Sequence, residues 1–185
     1  FLNAGLGYGG SCFPKDVKAI IALGQRNGLA LTLMESVDEV NRRQKQVLVE
    51  KVKQHYAGKL QGKTLAVWGL AFMPKTDDIR EAPALTFIDE MLAAGAKCQV
   101  HDPEAMANVK AEYGDKLTYA ERPYDALTGA DGLVLVTEWP EFRQPNFEII
   151  KARVKDRVIF DGRNLYDPKS LHAAGFTYYA IGRGK

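Results

Sequence analysis

The residues best equipped for chemistry stand at the start of the chain, in Gly5-Leu6-Gly7-Tyr8-Gly9-Gly10-Ser11-Cys12-Phe13-Pro14-Lys15-Asp16. A cysteine reacts as its thiolate, which is favoured at a helix N-terminus and beside cations. Cys12 meets both conditions on sequence, because Pro14 marks the first turn of a helix and Lys15 lies in that turn. The preceding glycines let the backbone approach a ligand closely and aim amides at it. Asp16 follows within one turn and can reach the same space. A nucleophile, a carboxylate base and an amide-rich cradle in one loop suit covalent catalysis at an acyl or carbonyl carbon. Taken singly the same residues read more plainly: a lone cysteine as a small buried hydrophobe, an aspartate near a helix start as a dipole partner, glycines as turns. The density of the loop favours chemistry. His55, His101 and His172 are all remote in sequence, so no Cys–His pairing is signalled.

The elements that must position this loop follow from hydrophobic pattern. Val17, Ile20, Ile21 and Leu23 supply an apolar helical face between Pro14 and Gly28. Met34, Val37, Val40, Gln44, Val47, Leu48 and Val52 recur at three- and four-residue steps, with Arg42, Arg43, Lys45, Glu50 and Lys51 between them. That spacing predicts an amphipathic helix over about Thr32 to Tyr56, roughly twice the average length. After a linker at Gly58–Gly62 the pattern changes. Apolar runs at Thr64–Trp68, Lys97–His101, Gly132–Val136, Arg157–Phe160 and Phe176–Ile181 alternate with helical segments at Pro83–Ala94 and near 104–111, 122–128, 146–153 and 168–174. Strands alternating with helices predict an α/β fold, a doubly wound and mainly parallel sheet covered on both faces. Leu133-Val-Leu-Val136 is continuously apolar, as burial on both sides requires. The chain therefore divides into 1–57, loop and helices, and 58–185, the α/β domain. Because it opens on Phe1, inside what reads as a working loop, a fragment of a longer protein is expected.

Composition narrows the function classes. The 185 residues are 46% apolar and 26% charged, which excludes a disordered chain. No apolar run approaches the roughly 18 residues of a membrane span. The net charge of +2 arises from 25 basic and 23 acidic residues, interleaved throughout, so no basic stripe marks a nucleic-acid partner. Cys12 and Cys98 are too few for a disulfide scaffold, and with no signal peptide visible a reducing cytoplasm is the default expectation. No metal-ligand pattern is assigned.

Residues 5–16 closely resemble the catalytic-cysteine segment of the nucleotide-sugar 6-dehydrogenases, most of all the bacterial enzymes acting on UDP-glucose. Two further segments agree in order. Gly69-Leu-Ala-Phe-Met-Pro-Lys-Thr-Asp-Asp-Ile-Arg-Glu-Ala-Pro83 resembles the loop after the first strand of the family's C-terminal domain, and Phe160-Asp-Gly-Arg-Asn164 resembles its substrate-arginine segment. The resemblance implies NAD-dependent oxidation of the sugar C6 alcohol to a carboxylate, through a thiohemiacetal and then a thioester on the cysteine. Cys12 takes the nucleophile's place and Asp16 that of the residue that orients or deprotonates the hydrolytic water. Asn3, Ala4, Gly5, Leu6, Gly7, Tyr8 and Gly9 match the segment that wraps the substrate, with Phe72, Met73 and Arg163 as further substrate contacts. Cys12, Lys15 and Arg80 match positions beside the cofactor. A Rossmann-like, UDP-sugar-binding C-terminal domain is implied, together with a homodimer through the helix at about 32–56 and an NAD-binding domain ahead of the cysteine loop. Position 73 is usually lysine in the family, and Met73 removes that cation; whether Lys75 replaces it is open.

Several residues carry second readings. Gly69-Leu-Ala-Phe-Met is not a Gly-x-Gly-x-x-Gly fingerprint, so nicotinamide binding is not expected of 58–185, nor oxidation of UDP-glucose by this chain alone. Arg163, just past an apolar strand, suits recognition of nucleotide or sugar oxygens, or else a surface ion pair with Asp161 or Asp167. Asp102 stands where a Rossmann fold places its ribose-binding acid, though Asp102-Pro103 reads better as a turn and helix start. Cys98 reads as core, and Trp68 and Trp139 as packing. The competing functions are a GDP-mannose or UDP-N-acetylhexosamine dehydrogenase and, from another class, a non-catalytic nucleotide-binding and dimerisation module.

Overall fold

The computed structural model describes residues 3–183; Phe1, Leu2, Gly184 and Lys185, the outer ends of the two expected segments, lie outside the described residues. Two helices come first. Helix α1 (Phe13–Arg26) starts with Pro14 in its first turn, and α2 (Thr32–His55) runs for 24 residues. The sheet follows as β1 (Thr64–Trp68), β2 (Lys97–His101), β3 (Thr118–Tyr119), β4 (Gly132–Leu135), β5 (Val158–Asp161) and β6 (Thr177–Ala180). Between the strands lie α3 (Pro83–Ala93), α4 (Met106–Tyr113), α5 (Phe147–Arg153) and α6 (Pro168–Ala173). Local chemistry sets several helix starts: Asn146 accepts the amides of Glu148 and Ile149 ahead of α5, and Asp167 accepts that of Ser170 ahead of α6.

All six strands are parallel, in the order β3-β2-β1-β4-β5-β6. That is the doubly wound order in which the chain reverses direction between β1 and β4, opening a crevice beyond the carboxyl ends of the strands. Every residue of β4 and β5 is buried, as two-sided cover demands. The C-terminal half of α2 joins the same core through Leu48, Val49 and Val52, all fully buried. Its N-terminal half does not, and leaves Leu33 and Val40 exposed.

Two features depart from pattern. The expected helical segment at 122–128 is a single 3₁₀ turn, Asp125–Leu127. Pro123 and Gly129 bound it too closely for an α-helix, and burial of Ala126 and Leu127 against the sheet holds the turn instead. The edge strand β3, which no pattern announced, has only two residues, paired with Gln99 and Val100.

Candidate functional site

The glycine loop crosses the carboxyl end of the sheet. At one end Gly5 lies against the Arg163 guanidinium and Leu6 against Gly162, just beyond β5. At the other end Gly9 and Gly10 lie against Phe72 and Glu81, in the loop joining β1 to α3. A side chain at Gly9 would put its Cβ 2.5 Å from the Glu81 carbonyl oxygen, and Gly10, at φ +86°, faces the Phe72 ring. The Gly10 amide donates to the Arg80 carbonyl at 2.8 Å. Helix α2 holds the loop from the side. The buried Asn41 accepts the Tyr8 amide at 2.7 Å and donates to the Tyr8 carbonyl at 3.2 Å, while Gln44 donates to the Gly5 carbonyl at 2.6 Å.

Cys12 emerges at the end of this loop as the residue preceding α1. It is exposed, with Ser11 Oγ 3.6 Å from its sulfur and its carbonyl accepting the Asp16 amide at 2.9 Å. Lys15 and Asp16 pair with each other at 3.5 Å on the outer face of the first turn. Arg80 is also exposed and forks onto Asp78, through Nε at 2.9 Å and Nη2 at 2.8 Å. That fork raises the Arg80 pKa, with a smaller contribution from Cys12, and holds the Asp78 carboxyl below its ordinary range. The second free cysteine is the opposite of Cys12: Cys98 is buried in β2, and burial pushes its thiol up to about 12.

Arg163 stands at the mouth of a 380 Å³ cavity that it shares with Asn3, Ala4, Glu138, Arg143, Asn164, Leu165 and Arg183. Three guanidiniums face one carboxylate there. The side chain of Arg163 pairs with Glu138, which corrects the surface reading that gave it Asp161 or Asp167. Asp161 is fully buried and occupied, accepting the amides of Arg163, Leu165 and Tyr166 and the hydroxyl of Tyr178. Burial raises its pKa, and those donors work in the opposite direction. Asp167 caps α6. Asn164, at φ +55°, clamps the amide and carbonyl of Ile181. The turn that presents Arg163 is therefore rigid at both ends.

The dinucleotide position of the sheet is filled by the protein itself. Asp102, at the end of β2, accepts the amides of Leu70 (2.6 Å), Ala71 (3.1 Å), Glu104 (2.9 Å) and Ala105 (2.8 Å) and the Trp139 indole (3.0 Å). Both the acid that would bind a ribose and the amides that would cradle a pyrophosphate are occupied. The residues of this sheet do not fit NAD. Those matched to positions beside it, Cys12, Lys15 and Arg80, are exposed.

The fold thus gathers Asn3, Ala4 and Gly5 at Arg163, packs Phe72 under Gly9 and Gly10, and ties the Arg80 carbonyl to the Gly10 amide, two residues ahead of Cys12. It does not bring Met73 to Arg163: Met73 is 48% exposed and outside that cavity. Lys75 lines a different cavity, with Thr76 and Asp77. Sequence reading missed Glu138, Arg143, Arg183, Glu81 and the supporting role of Asn41, Gln44 and Lys45. A signal existed for the last three, since polar residues at 41, 44 and 45 interrupt the apolar stripe on the packed side of α2.

Residues 66–168 match the UDP-binding domain of the UDP-glucose/GDP-mannose dehydrogenase family, and residues 1–43 match that family's central domain. The chain is 46% identical, over 99% of its own length, to the UDP-glucose 6-dehydrogenase of Pseudomonas aeruginosa, and 39% identical, over 99%, to the UDP-glucose 6-dehydrogenase TuaD of Bacillus subtilis. It spans 42% and 40% of the lengths of these curated relatives. A UDP-glucose dehydrogenase from the archaeon Pyrobaculum islandicum superposes with a TM-score of 0.84 at 35% identity, over 98% of this chain and 39% of that one.

Proposed function

The chain belongs to the UDP-glucose/GDP-mannose dehydrogenase family, and on that premise we propose that it carries the nucleophile and the UDP-sugar site of an NAD-dependent UDP-glucose 6-dehydrogenase. The supporting observation is the path of one loop, which starts beside the arginine cavity and ends at an exposed cysteine on a helix N-terminus. A UDP-sugar lying along that path would set its nucleotide near Arg163 and its C6 near Cys12.

In this reading Asn3 to Gly9 and Phe72 line the substrate, and Arg163 takes the charge of the nucleotide with a planar donor fork. Cys12 Sγ adds to the C6 aldehyde carbon, forming a C–S bond as the carbonyl oxygen takes up a proton. Once that carbon reaches the thioester level, water attacks it, Asp16 accepts the water's proton, and the C–S bond breaks with the thiolate as leaving group. NAD, when bound, supplies the oxidising equivalents of both oxidations. Lys15 and Arg80 offer it exposed cations, and its main binding surface belongs outside the sheet of residues 58–185. The exposed Leu33 and Val40 in the first half of α2 are covered by a second copy, giving a homodimer.

Amide NMR titration with UDP-glucose, GDP-mannose and NAD in turn tests the reading. UDP-glucose alone should shift resonances of Asn3 to Gly10, the 69–83 loop and Arg163. An equal response to GDP-mannose would overturn the choice of substrate, and no response to either sugar nucleotide would overturn the site.

A further inference from the structure

Glu81 occupies a point where three pieces of the chain meet. It lies between β1 and α3, and its carboxylate binds Lys18 of α1 and, at 3.0 Å, Lys45 of α2. Lys45 is buried and also donates to the Glu81 carbonyl at 2.9 Å. That same carbonyl lies against Gly9, and the neighbouring carbonyl, of Arg80, accepts the Gly10 amide. Glu81 is held at φ +54°, a left-handed conformation uncommon for a residue with a side chain. Its own side chain is exposed, so it adds no core. Strained residues of this kind persist where surrounding structure over-determines them, and they cluster at working sites.

The strain has a visible result. The left-handed turn at Glu81 aims two successive carbonyls, those of Arg80 and Glu81, at Gly10 and Gly9, two and three residues ahead of Cys12. The two lysines that hold the carboxylate come from helices on either side, one of them carrying Cys12 at its start and the other pinning Tyr8 through Asn41.

We propose that Glu81, clamped by Lys18 and Lys45, is the positioning residue that docks the Gly9–Cys12 turn on the β1–α3 loop and holds the Arg80 carbonyl against the Gly10 amide. The proposal rests on reading Cys12 as the nucleophile. Glu81 touches no reacting atom; it acts through the backbone of Arg80 and the glycine turn. Lys18 and Lys45 together hold its carboxyl below the ordinary range, so the clamp is charged at neutral pH.

The test is the rate at which iodoacetamide alkylates Cys12 at pH 7 in the 185-residue chain, with buried Cys98 as the internal control and a thermal melt for each variant. Glu81→Gln keeps shape and loses charge, and should slow Cys12 by about three- to tenfold. Lys45→Met should do the same, and Lys45→Arg should restore most of the rate. Glu81→Gly relieves the backbone strain but leaves the buried Lys45 ammonium without its carboxylate, so it should melt below the wild type and alkylate slowly, and adding Lys45→Met to it should recover the melt without recovering the rate; that combination separates positioning from stability. Wild-type rates in folded Glu81→Gln and Glu81→Gly overturn the proposal. If Cys12 of the wild type itself reacts no faster than free cysteine, the nucleophile reading falls as well, and the two failures are told apart by the wild-type rate alone.

Discussion

Arg163 and Glu138 form an ion pair across 25 residues of sequence, each projecting from the loop that follows one of two neighbouring strands, β4 and β5. Both ends are fixed. Thr137 donates to the Ala71 carbonyl at 2.6 Å and Trp139 to Asp102, so Glu138 sits between two anchored residues. Arg163 stands on the turn built by Asp161. The pair leaves Arg163 shared between an internal carboxylate and whatever anion enters the cavity. Glu138→Gln keeps an acceptor and removes the competing charge, a change of about 1 kcal/mol in the anion's favour at a partly solvated site. UDP and inorganic pyrophosphate should therefore bind about fivefold more tightly by calorimetry, and the gain should shrink with added salt. Weaker binding would mean that the full negative charge is needed to orient the guanidinium.

Asp161→Ala strips one buried acceptor from four donors. The loss should lower stability by about 3 kcal/mol or more and release Arg163 from its place. A denaturant titration paired with UDP binding measures both, and a variant that unfolds as the wild type does would show that water replaces the carboxylate. Tyr178→Phe removes a single donor and should cost only about 1 kcal/mol.

His55 supplies a pH dependence. It sits half-buried among Tyr56, Phe160 and Tyr179, with Nδ1 3.1 Å from the Tyr179 hydroxyl, and burial lowers its pKa from 6.5. The unfolded chain then takes up a proton at a higher pH than the folded one. This contribution to stability is intact above about 6.5 and declines as pH falls through that value towards the folded pKa. The melting temperature should drop between pH 7.5 and 5.5, and His55→Phe, which keeps an aromatic ring in the cluster, should flatten that drop. An unchanged slope would assign it to other groups.

The exposed half of α2 should be covered in solution. Leu33 and Val40 project from it, and Val37, Val40 and Tyr8 line a 350 Å³ groove beside them. Val40→Asp should turn a dimer into a monomer in sedimentation experiments without lowering UDP-glucose affinity by more than about twofold. A wild type that sediments as a monomer at high micromolar concentration contradicts the dimer.

NAD alone should give no binding heat with these 185 residues, because Asp102 fills the sheet's dinucleotide position. Shifts at Leu70 and Ala71 on adding NAD would contradict that.

Much of this fold was legible because its strands announce themselves. Leu133-Val-Leu-Val136 and Thr64–Trp68 are buried on both faces, and such runs have few other uses. The two-residue β3 was not, since no periodicity fits in so short a span, and 122–128 misled because apolar residues in a turn resemble a helical face. At the site, Cys12 was legible from its own neighbours. Glu138 and Glu81 were not, because each takes its meaning from a residue distant in sequence. Arg163 has two aspartates within four positions yet reaches for neither, since one is enclosed and the other caps a helix.

The convergence of five donors on Asp102 makes the crevice indivisible. The turn after β1, the start of α4 and the Trp139 indole share a single anchor, so removing the Asp102 carboxylate loosens all three at once. A doubly wound sheet offers ligands both flanks of its reversal point, and here the chain's own donors occupy the Asp102 carboxylate on the β2 flank. The β5 flank instead presents the three guanidiniums gathered around Glu138, with Arg163 among them. In the proposed reading, selection among sugar nucleotides falls to the residues of that flank and the loop that overhangs it, and recognition can be altered there without disturbing the sheet.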